Sequence, residues 1–303
     1  MKRKLIRQGA GGFTFYVPKK WVIEQGLSAG DEIDLIQEGA ELTISSTQLP
    51  QKKIKKFKIR DNEEILVKNE ILNFYRQGFD VIELEAETKQ QIKLVQKITD
   101  KFLLGFEVTE KTENKITIES VTEPSIEKQE TIFRRIFLIT KETLELAKED
   151  MILGEFKNVN QLKELTSKII QYSYFCSRNL RKKKYEQKKT YSYYVAYDSF
   201  KLITRSIYAM YLRYYEIKKA KVNPQIIQLV EELQNSFQKT YEGFFSKNTE
   251  KLFESREDMI VMYRKIKELI VKTKNLDTLA LFYLGEVERM LYHLNSVLIA
   301  ILT

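Results

Sequence analysis

The stretch Lys2-Arg3-Lys4-Leu5-Ile6-Arg7-Gln8-Gly9-Ala10-Gly11-Gly12-Phe13-Thr14-Phe15-Tyr16-Val17-Pro18-Lys19-Lys20 decides how the rest of the chain is read. Phe13, Phe15 and Val17 alternate with Thr14 and Tyr16, the two-residue period of a half-buried strand. Gly9, Gly11 and Gly12 allow the positive φ or tight hairpin that precedes it. Pro18 has no N–H to donate to a ladder and closes the strand. Lys19 to Gln25 predict one or two helical turns, stopped by Gly26. Gly30-Asp31 reads as a turn, and Ile33, Leu35, Leu42 and Ile44 as further strand positions.

Charge narrows what this unit is for. Lys2, Arg3, Lys4, Arg7, Lys19 and Lys20 all precede the first acid, Glu24. A field of that sign on so small a unit suits a polyanion. The plainer reading is a solubilised surface or an edge strand blunted by lysines. A segment of about 45 residues buries too little apolar surface for a core of its own. Two copies could pool Leu5, Val17, Trp21, Val22, Leu27, Ile33, Leu35 and Ile44, which makes Val17 and Trp21 core rather than nucleic-acid contacts.

The blocks Lys4-Leu5-Ile6-Arg7-Gln8-Gly9, Val17-Pro18-Lys19-Lys20-Trp21 and Gly26-Leu27 followed by Gly30-Asp31-Glu32-Ile33 resemble the SpoVT/AbrB-type swapped-hairpin DNA-binding domain, most closely its archaeal branch. The resemblance covers about the first 46 residues. It implies an intertwined dimeric β-barrel that presents basic residues of its first strand and loop to double-stranded DNA.

The whole chain has 303 residues, 43% hydrophobic and 31% charged, with a net charge of +9, which suggests two or three domains and anionic partners. One cysteine, Cys176, excludes a disulfide framework and fits a reducing, cytoplasmic setting. One histidine, His293, excludes a His-rich zinc site and disfavours a Ser-His-Asp triad. No apolar run is long enough for a transmembrane helix, so no membrane insertion is expected. No nucleophile–base set, phosphate-binding glycine loop or ligand cluster is visible, so the chain is not read as an enzyme.

Three domains are expected. The head spans 1–48. A small α/β linker domain spans 52–123, and an all-α tail of about six helices spans 125–303. Pro50, Pro124 and Pro224 separate pieces of different pattern. Residues 51–60 carry six cations and no acid around a strand at Ile54, Phe57 and Ile59. Asp61 or Asn62 is placed to cap a helix over 63–76, and Thr88 a second one to Lys101. Phe79 to Leu84 is a strand between them, and a hairpin around Glu113-Asn114 follows. In the tail, Phe133, Phe137, Thr140, Leu144, Ala147 and Met151 form one apolar helical stripe. Met259, Met262, Ile266 and Leu269 form another, as do Leu284, Val287, Leu291, Leu294, Leu298 and Ile301. Breaks at Gly154, near Lys184, at Asn223-Pro224, at Asn248 and at Asn275 give two sets of three helices, 125–221 and 224–303.

The order of these parts, with Gly78-Phe79-Asp80-Val81-Ile82 and Leu104-Gly105-Phe106-Glu107-Val108 in the linker, resembles archaeal proteins that join such a head to a PhoU-like tail. The resemblance implies a DNA-binding transcriptional regulator of phosphate uptake or homeostasis. Its tail would be a sensor, or would dock a phosphate-transport or signalling protein. PhoU-type tails carry paired acids that hold metal ions. Glu254 and Asp258, one helical turn apart, match that pattern once and are the candidate ligands for a divalent or ferric ion; no other cofactor is expected. The plainer reading is a solvated acidic face. An alternative from another class is an adaptor that dimerises through the head, binds no DNA and docks a partner through its tail.

Other features have readings of their own. Arg178, Arg181, Lys182, Lys183, Lys184, Lys188 and Lys189 read as a solvated helix end, or else as a second polyanion contact. Tyrosines 191, 193, 194, 197, 208, 211, 214 and 215 read as bundle core or a partner face, or else as rings that stack bases on a basic groove. Cys176 and His293 read as interior groups.

Overall fold

The computed structural model describes residues 2–9, 11–46, 52–122, 126–183, 189–217, 221–274 and 276–303. Ala10, Pro50, Pro124, Lys184, Lys188 and Asn275, all read above, lie outside them, as does the Lys183 side chain. The chain is α+β and divides into two compact units, Met1–Lys52 and Lys53–Thr303.

The first unit has two hairpins and a short helix. β1 (Ile6–Gln8) pairs antiparallel with β2 (Gly12–Thr14), Ile6 opposite Thr14 and Arg7 opposite Phe13. Gly9 (φ 64°) and Gly11 (φ 155°) make the turn that L side chains rarely adopt. Helix α1 (Lys19–Glu24) follows Pro18, and Gly26 (φ 68°) stops it. β3 (Ile33–Glu38) then pairs with β4 (Glu41–Ser46). The expected strand over 13–17 is shorter than predicted. Its partner begins at Ile6, so the ladder runs out at Thr14, and among the described residues no strand of the same chain lies opposite Phe15 to Val17. No barrel closes within the chain among the described residues: these are two separate two-stranded sheets.

The second unit begins with a four-stranded sheet in the order β5-β6-β8-β7. β5 (Ile54–Lys58) runs parallel to β6 (Val81–Glu85) through helix α2 (Glu64–Arg76). Helix α3 (Lys89–Phe102) leads to the antiparallel hairpin β7 (Phe106–Lys111) and β8 (Lys115–Ser120). The Thr88 hydroxyl caps α3 by accepting from the Gln91 amide at 3.2 Å. At α2 the expected cap is displaced: Glu63 is the N-cap, and Asp61 instead accepts from the Glu63 amide at 2.8 Å. Ile71, Leu72, Tyr75, Ile82, Leu84 and Ile116 form the centre of this layer's core.

Six helices follow among the described residues: α4 (Ile126–Leu153), α5 (Val159–Lys183), α6 (Thr190–Glu216), α7 (Pro224–Phe245), α8 (Thr249–Lys272) and α9 (Leu276–Leu302). Asn223 caps α7 with Pro224 in its first turn, where the missing N–H costs nothing. Asn248 caps α8. Helices α4, α5 and α6 pack on one another, and so do α7, α8 and α9; α4 meets α7 and α6 meets α9 across the middle. The three apolar stripes all turn inward, with Leu269 half-buried at the edge. Tyr197, Tyr211 and Tyr214 are buried with them, while Tyr191, Tyr194 and Tyr215 are exposed. Cys176 is fully buried, and burial pushes its thiol far above the ordinary range. His293 is exposed rather than interior. Leu291 and Leu294 face the core, and a residue two positions past Leu291 points about 200° away from it.

On α9, Glu288 is buried with no ion pair among the described residues. Burial raises its carboxyl to about 7, and Arg289 opposes that rise. The folded pKa lies above the ordinary 4.5, so this group's contribution to stability is fully present below pH 4.5 and is lost as pH rises through 7. Glu288→Gln should therefore raise the Tm at pH 8 by roughly 2–4 °C and leave it unchanged near pH 4, as thermal melts followed by circular dichroism at both pH values will show.

Candidate nucleic-acid interface

Lys2, Arg3, Lys4, Arg7, Lys19 and Lys20 are all exposed in the first unit. Arg7 sits in β1 across from Phe13; cross-strand partners share a face, so an exposed aromatic ring flanks that guanidinium. Lys19 and Lys20 open α1, and Lys20 reaches Glu24 at 3.7 Å, one turn on. Such an exposed pair is a weak constraint. Lys2, Arg3, Lys4, Arg7 and Lys19 make no ion pair among the described residues. Asp31 is engaged instead at the Ser28 amide, at 2.7 Å. The structure thus leaves these cations available to an external anion.

The same unit has no buried side chain among the described residues. Phe13 is 66% exposed and Leu35 58%, with Leu5, Tyr16, Ile23 and Leu42 also open. Val17, Trp21, Val22, Leu27, Ile33 and Ile44 are half-buried.

Glu254 and Asp258 lie on α8, but an ammonium already stands between them. Lys239 of α7 reaches Asp258 at 2.9 Å and Glu254 at 3.9 Å, and the Ser236 hydroxyl donates to Asp258 at 2.8 Å. No group of three or more potential metal ligands occurs among the described residues.

The cationic run on α5 is in part not a solvated helix end. Arg178 is 3% exposed. It donates to the carbonyls of Tyr75 (3.0 Å) and Phe79 (2.6 Å) and to the Asp80 carboxylate (3.0 Å), and its guanidinium lies over the Phe106 ring at 4.8 Å. Lys182 also binds Asp80. The other Asp80 oxygen accepts from the backbone amide of Lys53, the first residue of the second unit, at 2.9 Å. This joint was missed in the sequence, although a signal was present. Ile170, Tyr174, Arg178 and Lys182 recur every four residues, a single ridge on α5, and Ile170 and Tyr174 pack on the core of the α/β layer.

Burial alone would raise the Asp80 carboxyl, but Lys182, the Lys53 amide and Arg178 outweigh it and hold the group below its ordinary range. Its stabilising contribution is therefore present above pH 3.8 and is lost as pH falls through the lowered pKa.

No family model, no curated protein and no solved structure matches this chain.

Removing Arg178 would take a cation from the Asp80 carboxylate, leaving it Lys182 and the Lys53 amide, and a donor from the Tyr75 and Phe79 carbonyls. Arg178→Met should lower the stability of the second unit by about 3 kcal/mol in urea unfolding at pH 7. A loss below about 1 kcal/mol would show that the joint does not depend on this ion.

Proposed function

We propose that the chain is a DNA-binding transcriptional regulator that acts as a homodimer through its amino-terminal unit. The observation that carries this reading is the set of exposed cations, Arg3, Lys4 and Arg7 foremost, that no acid of the described chain neutralises. The open apolar positions of the same unit support the second copy, because a swapped pair of hairpins would cover Leu5, Leu35 and their neighbours. That closure completes the barrel implied by the SpoVT/AbrB resemblance.

The mechanism is electrostatic. Lys2, Arg3, Lys4, Arg7 and Lys19 or Lys20 from two chains would neutralise on the order of eight phosphates, giving a log–log salt slope of about −7. Lysines fix the register on the backbone, and Arg3 and Arg7 are the candidates for bidentate contacts to guanine. The helical tail is the sensor or docking module, and its PhoU resemblance directs the search for operators to phosphate-responsive genes. Glu254 and Asp258 are assigned no metal in this reading, since Lys239 serves both carboxylates.

The adaptor reading, in which the tail docks a protein and the head only dimerises, draws support from exposed Phe253, Val261 and Tyr263 on α8. A gel shift with genomic fragments at two salt concentrations separates the two. Arg3→Glu/Arg7→Glu should abolish the shift while the oligomeric mass is unchanged. Equal DNA affinity in that double variant rejects the assignment.

A further inference from the structure

The second unit holds a cleft of about 540 Å³ where α2, α5 and α6 meet. That volume falls in the range of small-ligand sites. Among the described residues, Arg76 and Arg181 are the charged members of its wall and no carboxylate lines it. Arg181 is exposed and makes no ion pair among the described residues. Arg76 is held by neutral groups: Nε donates to the Leu72 carbonyl at 3.4 Å and a terminal nitrogen to Asn73 Oδ1 at 2.5 Å. Its guanidinium lies 5.1 Å from the centroid of the Tyr174 ring, and Lys201 lies 4.7 Å from the same centroid. Burial lowers the Lys201 pKa, and repulsion from Arg76 and Arg205 lowers it further against the pull of Asp198. Arg76, Lys201 and Arg205 thus gather behind the cleft against the carboxylate of Asp198, which pairs with Lys201, and the amino-terminal end of the long helix α6 adds positive potential.

The aromatic residues narrow the ligand class. Tyr191 is 78% exposed at the rim and stacks on no ring among the described residues; Tyr194, one turn further along α6, is 41% exposed. Flat rings beside guanidiniums suit a ligand with a π face and an anionic group. The Asn73 and Gln77 amides in the same wall can both donate and accept.

We propose that this cleft binds a mononucleotide, with its phosphate between Arg76 and Arg181 and its base against Tyr191. A bidentate guanidinium suits a phosphate better than a lysine does. Asn73 and Gln77 face the sugar or the base edge. The site goes beyond the DNA reading: its residues all lie after Lys53, and its test needs no DNA.

The test is calorimetric titration of the full chain with AMP, with adenosine and with inorganic phosphate. AMP should bind at least tenfold more tightly than either fragment. Arg181→Glu should weaken AMP at least tenfold and Tyr191→Ala about fivefold, with melting curves unchanged because both side chains are exposed. If Arg181→Glu disturbs folding, Arg181→Gln supplies the same readout. No heat from AMP at millimolar concentration would overturn the site, as would phosphate binding as tightly as AMP or equal AMP affinity in the variants. A failed AMP titration leaves the gel shift of the Arg3 and Arg7 variant as a separate result.

Discussion

A segment of about 45 residues has almost no interior, because surface outgrows volume as a chain shortens. In the amino-terminal unit of this protein the consequence is complete: two hairpins and a six-residue helix bury no side chain among the described residues. Its leucines, isoleucines and aromatic rings stand open or half-open beside its cations. Leaving that much apolar surface in water is unfavourable at roughly 25 cal/mol per Å². In the proposed dimer a second copy of the same surface would remove that cost and double the positive charge on one body. Dimerisation and polyanion binding are thus two consequences of one deficit in the proposed function.

The second unit has the opposite economy of surface. It carries two cores, one in the α/β layer and one through the six helices, joined where α5 lies on α2 and α3. Apolar packing alone would let such a contact slide. Arg178 and Asp80 fix it, since a guanidinium buried against two carbonyls and a carboxylate has one satisfactory arrangement. The same carboxylate holds the Lys53 amide, so the entry of the chain into this unit is set by residues of the tail.

Much of the helical architecture was legible in the sequence because it is written locally. The stripe from Phe133 to Met151 repeats at helical spacing, and Thr88, Asn223 and Asn248 announce helix starts by side-chain chemistry that acts within three residues. What was not legible depends on partners remote in the chain. β2 ends at Thr14 because of where β1 begins, not because of its own alternation. Arg178 looked like one more solvated cation; its burial is decided by Asp80, 98 residues earlier. His293 is different, since the phase of Leu291 and Leu294 already placed it on the outer face. For the head, the cations and their sign were readable directly, whereas their lack of acidic partners became visible only in three dimensions.

The central claim is that the basic amino-terminal unit is completed by its own copy. Light scattering from the full-length chain in solution measures this most directly. A mass about twice the 35.9 kDa of one chain is the predicted result. A single-chain mass that persists at micromolar concentration would contradict it.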